Sequence, residues 1–87
     1  MEFEFDPAKS AANVGKHGIG FLEAQVLWSG TAVERLLPYT DEVRLLRVGL
    51  IGEKLWVAVY TMREGRVRLI SVRRARQEEE VEYGRET

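Results

Sequence analysis

The 87-residue chain has no cysteine and a single histidine, His17. The first absence excludes disulfides, thiolate zinc sites and a cysteine nucleophile. The second excludes a metal centre built from several imidazoles. No cofactor and no metal are expected. No apolar run is long either: Leu55 to Tyr60 is the longest, far short of the ~20 residues that cross a bilayer. The N-terminus, Met1-Glu2-Phe3-Glu4-Phe5-Asp6, is acidic and lacks the apolar stretch of a signal peptide, so a cytoplasmic location is expected. Excess charge is also missing. Thirteen Lys and Arg face 14 Asp and Glu, a net charge of −1, which argues against a simple nucleic-acid binder. There is no internal repeat and no low-complexity linker. What remains is 45% apolar and 31% charged, the composition of a globular protein. Residues 1–87 are read as one domain, with an acidic tail from about residue 77 that frays or needs a partner.

The charge that balances overall is unevenly placed. Arg63 to Arg76 holds six arginines and one glutamate, a local +5, and Gln77 to Thr87 holds five glutamates and one arginine, a local −4. Screening limits the reach of distant charges to about 8–10 Å, so a local basic patch can bind phosphate whatever the total. The competing reading is a solvated arginine face paired with the acidic tail.

The pattern along the chain is β-α-α-β-β-β-β-α. Phe3 and Phe5 alternate with acids, as in a short half-buried strand. Asp6-Pro7 reads as an N-cap followed by proline at the first helical position. Ala8, Ala11, Ala12 and Gly15 fall on one face of that helix and suggest close packing there. Lys9, Asn13, Lys16 and His17 share a polar stripe, and Gly18 fits the C′ position. Gly20 caps a second helix whose buried side is Phe21, Ala24, Leu27 and Trp28. Strands are expected over Thr31 to Leu37, Val43 to Ile51, Lys54 to Arg63 and Arg66 to Arg73, with a tight turn at Glu64-Gly65. A short charged helix follows from about Ala75 to Tyr83. Consecutive strands with short loops favour an α+β fold: an antiparallel meander with the two N-terminal helices on one face and the short C-terminal helix after it.

A two-residue turn sets Arg63 opposite Arg66, Thr61 opposite Arg68 and Val59 opposite Ile70. Thr61, Arg63, Arg66 and Arg68 then share one sheet face, while Trp56, Ala58, Tyr60, Leu69, Ser71 and Arg73 take the other. Opposed arginines repel unless an anion lies between them, which points to a phosphate-binding edge. On this count Arg73 joins that edge only through a bulge or beyond the strand end.

The chain resembles the BrnT family of toxins from bacterial type II toxin–antitoxin systems. The resemblance is carried by Phe3-Glu4-Phe5-Asp6-Pro7 with Lys9, by Asn13 and Lys16-His17-Gly18, and by Phe21 with Glu23-Ala24. It continues through Glu42 with Arg44, Val48-Gly49, Leu55 to Tyr60, Thr61 with Arg63, Ile70-Ser71-Val72-Arg73-Arg74-Ala75, Glu79 and Tyr83. The family usually has tryptophan where Phe5 stands, often Asp-Pro where Ser29-Gly30 stands, and in many members a histidine in the region that here reads Pro38-Tyr39-Thr40-Asp41. The resemblance implies a RelE-like fold and a small ribonuclease that inhibits translation. It also implies a cognate antitoxin with a ribbon-helix-helix-type DNA-binding domain, through which the pair would repress its own operon, in a heterotetramer.

Metal-independent RNA cleavage needs a group that moves protons and cations that stabilise the phosphorane. His17 has the side chain suited to proton transfer at neutral pH, and Lys16 beside it can bind phosphate. Arg63 and Arg73 are the further catalytic candidates, since a guanidinium fork matches phosphate geometry. Lys9, Arg68 and the pair Glu42 and Arg44 are candidates for substrate binding or for orienting a catalytic group. Trp56, Tyr60 and Trp28 are read as core in preference to base-stacking platforms. Two alternatives stay open: a non-catalytic module that acts with its antitoxin in operon autoregulation, and a single-stranded RNA binder without cleavage.

Overall fold

The computed structural model describes residues 1–38 and 41–87; the Tyr39-Thr40 part of the Pro38–Asp41 region lies outside the described residues. The elements are β1 (Phe3–Glu4), α1 (Pro7–His17), α2 (Phe21–Ala24) continued by a 3-10 turn (Gln25–Trp28), β2 (Ala32–Leu37), β3 (Arg44–Ile51), β4 (Lys54–Arg63), β5 (Arg66–Arg74) and α3 (Gln77–Glu86). The chain is α+β, with one five-stranded sheet in the order β1-β5-β4-β3-β2. β2 to β5 form the antiparallel meander. The sheet is mixed because β1 adds to the outer edge of β5 in parallel, Phe3 beside Val67 and Glu4 beside Arg68.

The local signals act where the sequence places them. Asp6 caps α1, its Oδ1 accepting from the Ala8 amide at 2.8 Å, with Pro7 next in line. α1 ends at Gly18, whose φ of 79° is a left-handed conformation that a side chain would strain. Ser10 of α1 then caps the next helix, its Oγ accepting from the Phe21 amide at 2.9 Å.

One face of the sheet carries the main core. Ile19, Phe21, Ala24 and Leu27 pack on Ala58, Tyr60, Val67, Leu69 and Val72, with Phe3, Phe5, Trp28 and Trp56 against them. Trp28 meets Phe3 and Tyr60 edge to face, with centroids 5.2 and 5.1 Å apart. The face of small residues on α1 does not pack: Ala8, Ala11, Ala12 and Gly15 are exposed. α1 is joined to its neighbours by hydrogen bonds from Ser10 and Asn13 instead.

α3 contacts β2 and β3. It begins two residues later than expected and runs to Glu86. No residue of α3 is fully buried. Ion pairs tie it to the sheet, Glu79 to Arg73 of β5 and Glu82 and Glu86 to Arg35 of β2, on the face where Val33, Val48 and Val57 are buried. Among the described residues no helix is long and apolar enough to cross a membrane.

Candidate functional site

The geometry of the site starts from the β4–β5 hairpin. Glu64 and Gly65 both have positive φ, 52° and 78°, as a two-residue primed turn requires. Arg63 therefore faces Arg66 and Thr61 faces Arg68, as the spacing predicts. The expected register then fails. Tyr60 pairs with Leu69, but Val59 pairs with Ser71 and not with Ile70. Ile70 is an extra residue, a β-bulge, and every side chain beyond it changes face. Ser71 and Arg73 move to the side of Thr61, Arg63, Arg66 and Arg68, while Val72 turns into the core.

Carried across the sheet, the same pairing puts Arg35 and Arg44 on that side too. Six arginines, Arg35, Arg44, Arg63, Arg66, Arg68 and Arg73, thus share the face opposite the main core. They are not equally available. Arg73 makes a two-pronged pair with Glu79, Nη1 to Oε1 and Nη2 to Oε2 at 2.8 Å each. That guanidinium is what holds the Glu79 carboxyl below the ordinary glutamate range, with the Arg76 amide helping. Arg35 is engaged by Glu82 and Glu86. Arg66 and Arg68 meet Glu2 and Glu4 only at 3.7 Å. Arg44 Nε stands 3.3 Å from Glu42 Oε1, and between their positions the Thr61 hydroxyl donates to the Val43 carbonyl at 2.6 Å. Arg63 is exposed and has no ion pair among the described residues.

His17 lies elsewhere on the molecule, at the last position of α1. A cleft of about 190 Å³ opens there, lined by Lys9, Ala12, Asn13, Lys16 and His17 from α1 and by Ile70 and Ser71 from the bulge. The polar stripe read from the sequence is thus one wall of a cavity. Lys9, Lys16 and His17 are exposed and have no carboxylate partner among the described residues. The lining carries no acid, so the cleft is suited to an anion. Arg63, Arg68, Arg73, Glu42 and Arg44 are not among its lining residues. The link between the two basic regions is Ser71, which lines the cleft and belongs to the arginine face, along β5 between Arg68 and Arg73. A chain of phosphates crossing the edge of β5 at Ser71 would meet both.

A larger open groove, about 480 Å³, runs along Gln77, Glu78, Val81, Glu82 and Arg85 of α3. Its two glutamates against one arginine make it a poor place for phosphate. On the core side, Arg47 lies 5.2 Å over Trp28 and 3.0 Å from Glu34, which accepts a short hydrogen bond from the Tyr60 hydroxyl. Burial, and then that bond, push the Tyr60 phenol well above its ordinary range; Tyr60 is packing, as the sequence reading has it. Among the described residues, no three His, Asp or Glu side chains converge to hold a metal ion.

Ser71 and Arg35 are the residues of the site that the sequence reading passes over. Ser71 follows from the bulge. Arg35 follows from the pairing of β2, a strand with little pattern of its own.

The family described as "Ribonuclease toxin, BrnT, of type II toxin-antitoxin system" matches this chain over residues 5–79. No curated protein matches it.

Proposed function

Because the chain belongs to the BrnT family of ribonuclease toxins of type II toxin–antitoxin systems, we propose that it is a metal-independent endoribonuclease that cuts RNA and so inhibits translation, and that its antitoxin partner neutralises it. The observation that carries this reading is the cleft at the bulge: it combines the only imidazole with two lysines and adjoins the arginine face through Ser71. The family places the chain beside an antitoxin; we take that partner to carry a ribbon-helix-helix-type DNA-binding domain. The α+β chain with its five-stranded sheet supports a RelE-like fold.

The chemistry follows from which groups face the cleft. RNA lies with one phosphate in the cleft and its neighbours on the arginine face. His17 removes the proton of the ribose 2′-hydroxyl, and that oxygen attacks the adjacent phosphorus. Lys16 and Lys9 offset the charge that builds on the non-bridging oxygens. The bond to the 5′-oxygen breaks, and a proton passes to that oxygen from the imidazolium. The products are a 2′,3′-cyclic phosphate and a 5′-hydroxyl, and the proton count balances with one imidazole acting in both directions. Arg63 and Arg68 grip flanking phosphates. Arg73 contributes once phosphate replaces Glu79 as its partner.

The test is cleavage of RNA by the purified chain with a chelator present. Fragments ending in cyclic phosphate are expected, and His17→Ala should slow their appearance about 10²–10⁴-fold. Induced expression without the antitoxin should halt growth and cut transcripts. Intact RNA with the parent chain, together with operator binding by the toxin–antitoxin pair, would favour the non-catalytic reading. That reading is supported by the presence of a single histidine.

A further inference from the structure

Asn13 is a polar residue in mid-helix with 6% of its surface exposed. A carboxamide that deep is costly unless its hydrogen bonds are made, and here they are. Nδ2 donates to the carbonyls of Ile19 and Val72, each at 2.8 Å, and Oδ1 accepts from the Val72 amide at 3.1 Å. The Val72 backbone sits on the outer edge of β5, past the point where β1 stops at Glu4 and Arg68. A carboxamide presents the same donor and acceptor as a peptide group, so Asn13 stands where a strand would otherwise continue.

The consequence for the cleft is geometric. The bond to Ile19 closes the segment from Asn13 to Ile19, which contains Lys16, His17 and the left-handed Gly18. The two bonds to Val72 fix that segment along β5, one residue beyond Ser71. Residues three and four positions after Asn13 in a helix lie on its side, and these are Lys16 and His17. An apolar side chain at position 13 could bury as well, but it would leave the edge groups of Val72 unpaired and would not stop α1 sliding along the strand. We infer that Asn13 is a positioning residue: it holds the end of α1 at the β5 bulge, and so sets His17 and Lys16 against Ser71 to make an anion-binding cleft. The inference rests on the nuclease reading for its effect on rate, but not for its effect on anion binding.

The test uses the full chain with Asn13→Ala, beside Leu27→Ala, a core variant that does not line the cleft and should also lower the melting temperature. With one histidine, the imidazole C2–H gives a single proton resonance, and inorganic phosphate is the probe. In the parent and in Leu27→Ala, phosphate should shift that resonance with the same saturation curve. In Asn13→Ala, the curve should move to at least about tenfold higher phosphate, because the lysines and the imidazole are no longer held together. In RNA cleavage below both melting transitions, Asn13→Ala should lose about 10²-fold in kcat, the usual consequence of a misplaced catalytic group, with KM little changed because the arginine face still binds. If Asn13→Ala does not fold, Asn13→Ser is measured in its place; a hydroxyl has a single O–H for the two carbonyls of Ile19 and Val72, on a shorter side chain, and the same shift is expected. Phosphate binding and kcat that match Leu27→Ala would overturn the inference, as would a parent imidazole that phosphate does not perturb. A parent that binds phosphate normally but leaves RNA intact would count against the nuclease reading alone.

Discussion

At the scale of single residues, the exposed and the paired cations of the site should behave differently. His17 and Arg63 are exposed, so alanine at either should lower RNA cleavage while the melting temperature stays near that of the parent. Arg73 is different, since its side chain and that of Glu79 are only 20% and 15% exposed. Arg73→Ala strands a half-buried carboxylate and should cost about 1.5–3 kcal/mol in a denaturant titration, besides any loss of activity. The same pair predicts a pH dependence. Arg73 lowers the folded-state pKa of Glu79 below its unfolded value of about 4.3. Its contribution is therefore complete above that value and is lost as pH falls through the folded pKa. Glu79→Gln should flatten the acid limb of stability below about pH 4.3, measured by melting across pH.

At the scale of elements, the β4–β5 hairpin shows both how much the sequence disclosed and where it stopped. The turn at Glu64-Gly65, the facing arginines and the limits of β4 follow from local chemistry, and each is where the pattern puts it. Glu64 nevertheless holds a positive φ without being glycine. Glu64→Asn, a residue that tolerates this conformation, should raise stability by about 0.5–1 kcal/mol in thermal melts. The spacing raises a bulge as one of two ways for Arg73 to join the arginine edge, but not its place at Ile70, because that place is set by tertiary packing. Val72 must face the core beneath Ile19 and Phe21, while Arg73 must not, and one extra residue satisfies both. Its trace in the sequence was Arg73 on the wrong face. The small-residue stripe of α1 misled for a related reason: periodicity identified a face but not which face docks, and Asn13 won by hydrogen bonding. At Gly49, a Cβ would stand 3.2 Å from both Leu27 Cδ2 and the Thr31 carbonyl oxygen. Gly49→Ala should therefore cost about 1–3 kcal/mol.

At the scale of the whole molecule, near-neutral charge hides a division between a basic face and the acidic helix lying against it. Arg35 is held there by Glu82 and Glu86, all more than 40% exposed on their side chains. Exposed pairs of this kind contribute only about 0–1 kcal/mol. The double change Glu82→Gln and Glu86→Gln should thus leave the melting temperature nearly unchanged and tighten RNA binding at low salt. Arg63→Ala should reduce the slope of log affinity against log salt by about 0.7, the value for one phosphate contact on a single strand. The two borders of the sheet are finished in different ways. One ends in the two-residue β1 and the Asn13 carboxamide, the other in the six-residue β2 with Leu36 62% exposed. Of the two terminal strands described, β2 offers the longer unpaired edge, so lateral growth is favoured from that border. Two copies zipped along β2 would present only the two-residue β1 borders to a third, so crowding this protein at high concentration should yield discrete pairs and not fibrils.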